Sequence, residues 1–143
     1  MAASLLDPEN LRQIEEEQIR ENQRQAQERE RKHEEQQKVL HDAFLHRHLD
    51  PHAEERFNHL VAEAAKRGEH DILVLRFPSD WCTDGGRAIN NLDEDWPITL
   101  TGFARELHDA FEARLRPLGY RMHARILDYP GGMPGDVGIY LGW

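Results

Sequence analysis

A run of 24 residues, Glu15 to Lys38, limits what the first third of this 143-residue chain can fold into. Fourteen of these residues are charged, and only Ile19 and Ala26 are apolar. Such a segment has almost no side chains with which to form a core. It is rich in Glu, Gln and Arg, contains no Gly or Pro, and places many acidic residues three or four positions before basic ones. These features predict a helix that buries nothing.

The helix is predicted to begin at Asp7 and Pro8, because Asp accepts hydrogen bonds from the first free amides and Pro suits the first turn. The apolar residues of this region lie towards its two ends: Leu11, Ile14, Ile19, Val39, Leu40, Phe44 and Leu45. A heptad seam is absent from the middle, which argues against a long stable coiled coil. Two interpretations of this helical arm, residues 1–48, stay open. It is a solvated, fraying or partly disordered segment, or it pairs with another chain through residues 8–48.

The remaining residues, 49–143, are predicted to form one compact α/β domain. Asp50 and Pro51 repeat the helix-start pattern, and Gly68 ends that helix. Ile72 to Phe77 is apolar at nearly every position, which predicts a strand covered on both faces. Two helical segments follow this strand.

Two extended runs, 120–129 and 137–143, flank a loop rich in Gly and Pro, and this pattern predicts an antiparallel hairpin. The expected fold class is therefore α+β. A long charged N-terminal helix (domain 1–48) precedes a small α/β domain (49–143) with the order α-β-α-α-β-β and a three-stranded sheet that ends in the hairpin.

Composition argues against several classes of protein. The longest aliphatic run, Ile72 to Leu75, is far shorter than the roughly 20 residues of a membrane span, so no membrane association is expected. Cys82 is the only cysteine, which excludes an intrachain disulfide and is compatible with the cytoplasm. A net charge of −9 without a basic cluster argues against nucleic acid as a partner.

The two predicted hairpin strands have one apolar face and one unusual face. The unusual face carries cationic residues on the first strand and two glycines on the second: Arg121, His123 and Arg125, then Gly138, Tyr140 and Gly142. Glycines in a strand often mark a close approach of another group to the backbone. This face is therefore a candidate site for a small anion or an acidic peptide. The alternative is a solvated polar face on which the glycines let the strand twist.

A second candidate site is the loop CTDGGR, residues 82–87, which follows the first strand and leads into a helix. Turn amides, the helix N-terminus and Arg87 would stabilise a Cys82 thiolate. The pattern C-x-x-G-x-R resembles the active-site loop of rhodanese-type sulfurtransferases, and the resemblance implies that loop amides surround a persulfide-bearing Cys82. Cys82 and Arg87 are thus the candidate catalytic residues.

Two other interpretations of this loop stay open. Cys82 can be a small buried residue, with the glycines in a tight turn and Asp84 accepting local hydrogen bonds. Alternatively, the amides of Gly85 and Gly86, together with Arg87, can bind a small anion without reacting with it.

Neither a metal nor a cofactor is expected. Histidines are frequent at positions 41, 46, 48, 52 and 59, but no Cys or Glu lies at matching ligand spacing. Motifs of phosphate loops, dinucleotide sites, zinc proteases and nucleophile elbows are absent. The sequence favours a non-catalytic interaction or regulatory module that binds itself or a partner protein through residues 8–48. The alternative is a cysteine-dependent enzyme or sulfur carrier that uses the CTDGGR loop.

Overall fold

The computed structural model describes residues 4–143 and has the mixed helix and sheet architecture that the sequence predicts. Its elements are α1 (Pro8–His46), α2 (Ala53–Lys66), β1 (Asp71–Pro78), α3 (Arg87–Asn90), α4 (Gly102–Ala110), β2 (Arg121–Ile126) and β3 (Asp136–Gly142). A π-helical turn, Phe111–Leu115, follows α4 directly. The predicted order of helices and strands is confirmed. Within residues 4–143, no helix combines the length and the apolar character that a bilayer span needs.

The chain divides into two compact units, one that ends at Asp42 and one that runs from Ala43 to Trp143. The first unit consists mainly of α1. Asp7 Oδ1 accepts a hydrogen bond from the Asn10 amide at 2.8 Å, which confirms the predicted helix start. None of the described residues of this unit is buried. The charged segment is therefore helical without a core of its own.

The second unit is built on a three-stranded antiparallel sheet with the strand order β1-β3-β2. The predicted apolar face of the hairpin lies in the core, where Ala124, Val137 and Ile139 are buried. Helical segments and the link before α4 contribute further residues to the same core: Phe44, Ile89, Leu100, Phe103 and Ala104. The sheet thus has one covered face and one outer face.

The last turn of α1 belongs to the second unit. Phe44 is 7% exposed, and its ring centroid lies 5.3 Å from that of Phe77 and 4.7 Å from that of Trp81. Gly102, at the start of α4, lies against the same turn with φ of +53°, and a Cβ there would be 2.8 Å from the Phe44 carbonyl oxygen. Only glycine fits this approach, because both the backbone angle and the space exclude a side chain.

The prediction that β1 is covered on both faces is wrong. Leu73 is 46% exposed on the outer face, where it pairs with Tyr140. The register shifts between Leu73 and Leu75, so Val74 is an extra residue in a β-bulge. Val74 and Leu75 both pack against the core. The run is unbroken because Val74 and Leu75, although consecutive, both lie on the covered face of the sheet.

Replacement of Phe44 by Ala should destabilise the full chain by about 3 kcal/mol, because it removes a buried ring from the aromatic cluster with Phe77 and Trp81. Ile98→Ala is the matched control, since Ile98 is 70% exposed. The control should change the free energy of unfolding by less than about 0.5 kcal/mol. Urea denaturation followed by tryptophan fluorescence measures both. Equal effects of the two variants would show that the Phe44 cluster does not stabilise the second unit.

Candidate functional site

The CTDGGR loop is a compact turn that leads into α3. Cys82 is 5% exposed and belongs to the core cluster of the second unit. Gly86 has φ of +86°, and a Cβ there would lie 2.7 Å from Ser79 Cβ. Gly86 is therefore required both for its left-handed backbone and for its contact with Ser79. Arg87 is exposed on the first turn of α3.

The carboxylate of Asp84 accepts hydrogen bonds from amides that were predicted to stabilise a thiolate or to bind an anion. Asp84 Oδ1 accepts a hydrogen bond from the Gly86 amide at 2.9 Å, and Oδ2 accepts one from the Ala88 amide at 2.8 Å. A carboxylate in this position satisfies the first amides of α3 and cancels their positive potential. An external anion would have to displace Asp84 to bind these two groups.

The environment of Cys82 keeps its thiol protonated. Burial raises the pKa of Cys82 to about 11, a hydrogen bond with Thr99 partly offsets this effect, and the negative charge of Asp84 raises the pKa further. This shift has the opposite sign to the one that an activated thiolate needs. It agrees with the interpretation of Cys82 as a small buried residue with Asp84 accepting local hydrogen bonds.

Alkylation of Cys82 by iodoacetamide should therefore be slow at neutral pH, and its rate should increase with pH towards a midpoint near pH 11. Mass spectrometry across the pH range measures this, and the urea-unfolded chain should show the ordinary midpoint of about 8.5. The pKa of Cys82 is higher in the folded chain than in the unfolded chain, so the protonated thiol favours the folded state. This contribution to the free energy of unfolding is complete below the unfolded-state pKa and is lost as the pH rises to about 11. If the alkylation midpoint were lower in the folded chain than in the unfolded chain, Cys82 would instead be an activated thiolate.

The outer face of the sheet carries all three residues of the predicted cationic ladder, and two of them contact the Tyr140 ring. In the observed register Arg121, His123 and Arg125 stand opposite Gly142, Tyr140 and Gly138. The His123 ring stacks on Tyr140 with centroids 5.0 Å apart. Arg125 lies 4.4 Å above the centroid of the Tyr140 ring and donates a hydrogen bond of 2.8 Å to its hydroxyl. These contacts hold the His123 and Arg125 side chains on the outer face.

The two glycines of β3 do not leave bare backbone in the way that the sequence suggests. The Leu127 side chain covers Gly138, where a Cβ would meet it at 2.8 Å. Across Gly142, His123 Nε2 approaches Asp71 Oδ2 to 3.9 Å. The glycines thus make room for side chains of the same sheet, which agrees better with a solvated polar face than with a ligand on the β3 backbone.

Carboxylates on the outer face were missed by sequence reasoning. Arg76 Nε donates a hydrogen bond of 2.7 Å to Asp136 Oδ2, and Arg76 also lies 4.0 Å from Asp128. Asp136 raises the pKa of Arg76 through this hydrogen bond and its charge. Arg76, a single cation within an apolar strand, was the one feature of the sequence that could have indicated nearby carboxylates. Both carboxylates lie beside Arg76 of β1, whereas Arg121, His123 and Arg125 lie on β2.

The structure does not bring the two candidate sites together, because Cys82 lies in the core while the β2 cations lie on the outer face. The histidines near the start of α2 are also separate: His48 pairs with Glu106 at 3.0 Å, and His52 lies 3.7 Å from Glu55. Among residues 4–143, no group of three or more His, Cys, Asp or Glu side chains is arranged to hold a metal ion.

An open apolar groove of about 350 Å³ lies elsewhere in the second unit, between α2 and the end of the sheet. Its lining consists of Val61, Ala62, Ala65, Leu118, Gly119, Tyr120 and Trp143. These side chains offer no carboxylate, imidazole, thiol or amine for acid–base or nucleophilic chemistry. No known protein family matches the chain, and no curated protein or solved structure is detectably similar to it.

Proposed function

We propose that this chain is a non-catalytic interaction module of the cytoplasm that associates through α1 with the same helix of a second copy. The observation that carries the proposal is a set of exposed aliphatic side chains along one side of α1. The cytoplasmic location is supported by the single, buried, unpaired cysteine, since disulfides are rare in that compartment.

Five exposed aliphatic side chains of α1, at positions 11, 14, 19, 39 and 40, fall on one side of the helix although they lie near its two ends. At about 100° per residue they occupy a sector of about 160°, and Leu45, which is 43% exposed, lies outside this sector. Their exposed fractions are large: Leu11 48%, Ile14 52%, Ile19 56%, Val39 69% and Leu40 55%. Complete burial of one such side chain contributes roughly 1.5–3 kcal/mol, so a second helix laid along this side would gain from several of them. A helix of another protein could use the same side and is the alternative partner.

Charged pairs keep the middle of α1 helical in water without a partner. Arg24 lies 2.6 Å from Glu21, and Arg31 lies 2.6 Å from Glu28 and 2.7 Å from Glu35. Pairs three or four residues apart face each other on a helix and favour it over the unfolded segment. The charged segment of 24 residues would then hold the two apolar ends about 36 Å apart.

The double substitution Leu11→Glu with Ile14→Glu should abolish self-association, because it places two negative charges on the apolar side of α1. Light scattering coupled to size exclusion should give the wild type a mass above the 16.7 kDa of one chain and give the variant that single-chain mass. The control, Gln13→Glu with Gln27→Glu, adds the same charge on the opposite side and should keep the wild-type mass. A wild type that already has the mass of one chain would exclude self-association.

The alternative function, a cysteine-dependent enzyme or sulfur carrier, has less support. A sulfur carrier needs an accessible thiolate, whereas Cys82 is buried and its pKa is raised to about 11. The amides of Gly86 and Ala88 are already bonded to Asp84.

A further inference from the structure

The strand order β1-β3-β2 leaves the outer edges of β1 and β2 without a neighbouring strand. The hydrogen bond of 2.8 Å from the Leu127 amide to the Asp136 carbonyl fixes which backbone groups of β2 point outward. Since bonded and non-bonded pairs alternate in an antiparallel ladder, the N–H and C=O groups of Met122, Ala124 and Ile126 point away from β3. Within the part of the chain that the structure describes, these groups have no backbone partner.

The two edges differ in regularity. β1 contains the bulge at Val74 and ends at Pro78, and both features interrupt a continuous ladder with an added strand. β2 pairs with β3 over six consecutive residues without a register shift. The β2 edge is therefore the better template for another strand.

The charges beside the β2 edge select the kind of strand that fits. Arg121, His123 and Arg125 are exposed at alternate positions on the outer face. A strand added to β2 would place its own alternate side chains about 4.5–5.5 Å from these three. Asp128 and Asp136 lie beside Arg76, and Asp71 Oδ2 lies 3.9 Å from His123 Nε2. The positive charge that an added strand would meet on this face comes from Arg121 and Arg125.

The same positive charges disfavour pairing between two copies of β2. An antiparallel pair centred on His123 would place Arg121 of one copy opposite Arg125 of the other. Like charges opposite each other destabilise a strand pair. These charges therefore disfavour a second copy of β2 and favour a segment of opposite charge.

We propose that β2 binds an extended acidic segment of a partner protein as a fourth strand of the sheet. Glutamate or aspartate at alternate positions faces Arg121, His123 and Arg125, and apolar residues between them extend the covered face beside the half-buried Met122 and Ile126. Binding of a segment at β2 does not require self-association through α1.

The test uses the full chain and a fluorescent peptide of alternating glutamate and valine, with alternating lysine and valine as the charge control. Anisotropy at low salt should show binding of the glutamate peptide alone. Bound peptide should also slow hydrogen exchange of the Met122, Ala124 and Ile126 amides by at least about tenfold, because those amides become donors to the added strand.

Arg121→Glu should weaken binding of the glutamate peptide about tenfold, because an attractive cross-strand pair becomes repulsive. Arg29→Glu is the matched control, since it makes the same charge change at an exposed position of α1. The Leu11→Glu, Ile14→Glu variant should bind the glutamate peptide like the wild type. Peptide binding at β2 is thereby tested separately from self-association through α1. Equal binding of the lysine peptide, unchanged exchange of the three amides, or no binding at millimolar peptide would overturn the proposal.

Discussion

The central position of β3 determines the rest of the second unit. The residues of this strand from Val137 to Gly142 lie between two antiparallel neighbours, so its alternation decides which residues of β1 and β2 share each face. Val137, Ile139 and Leu141 are essentially inaccessible to solvent and form the centre of the covered face. The intervening positions, Gly138, Tyr140 and Gly142, shape the outer face. The core and the cationic surface are thus two consequences of one strand pairing.

The outer face carries separated charges because of the same pairing. Arg76 of β1 lies among carboxylates, whereas Arg121 and Arg125 lie on β2, with Tyr140 of β3 between the two strands. All of these charged pairs are at least partly exposed, so they contribute little to stability and their charges stay accessible to a partner. By contrast, the carboxylate of Asp84 in the CTDGGR loop is bonded to the amides of Gly86 and Ala88.

Most of the fold follows from local patterns. Asp7 and Pro8 start α1 where the capping preference places it, and the alternation of residues 120–126 and 137–143 places the apolar side chains on the covered face. Those patterns are local because they depend on residues within one helical turn or one strand. The bulge at Val74 could not be predicted, because an apolar run with two consecutive inward residues has the same composition as a strand covered on both faces.

The helical charged segment, the three strands and the alternation of basic residues on β2 can be predicted from the amino-acid order, since helix pairs and strand faces depend on spacing along the chain. The burial of Phe44, the burial and raised pKa of Cys82, and the edge position of β2 become visible only in the folded chain. These properties depend on groups that are distant in sequence. Burial and the order of strands in a sheet arise only when such groups pack together.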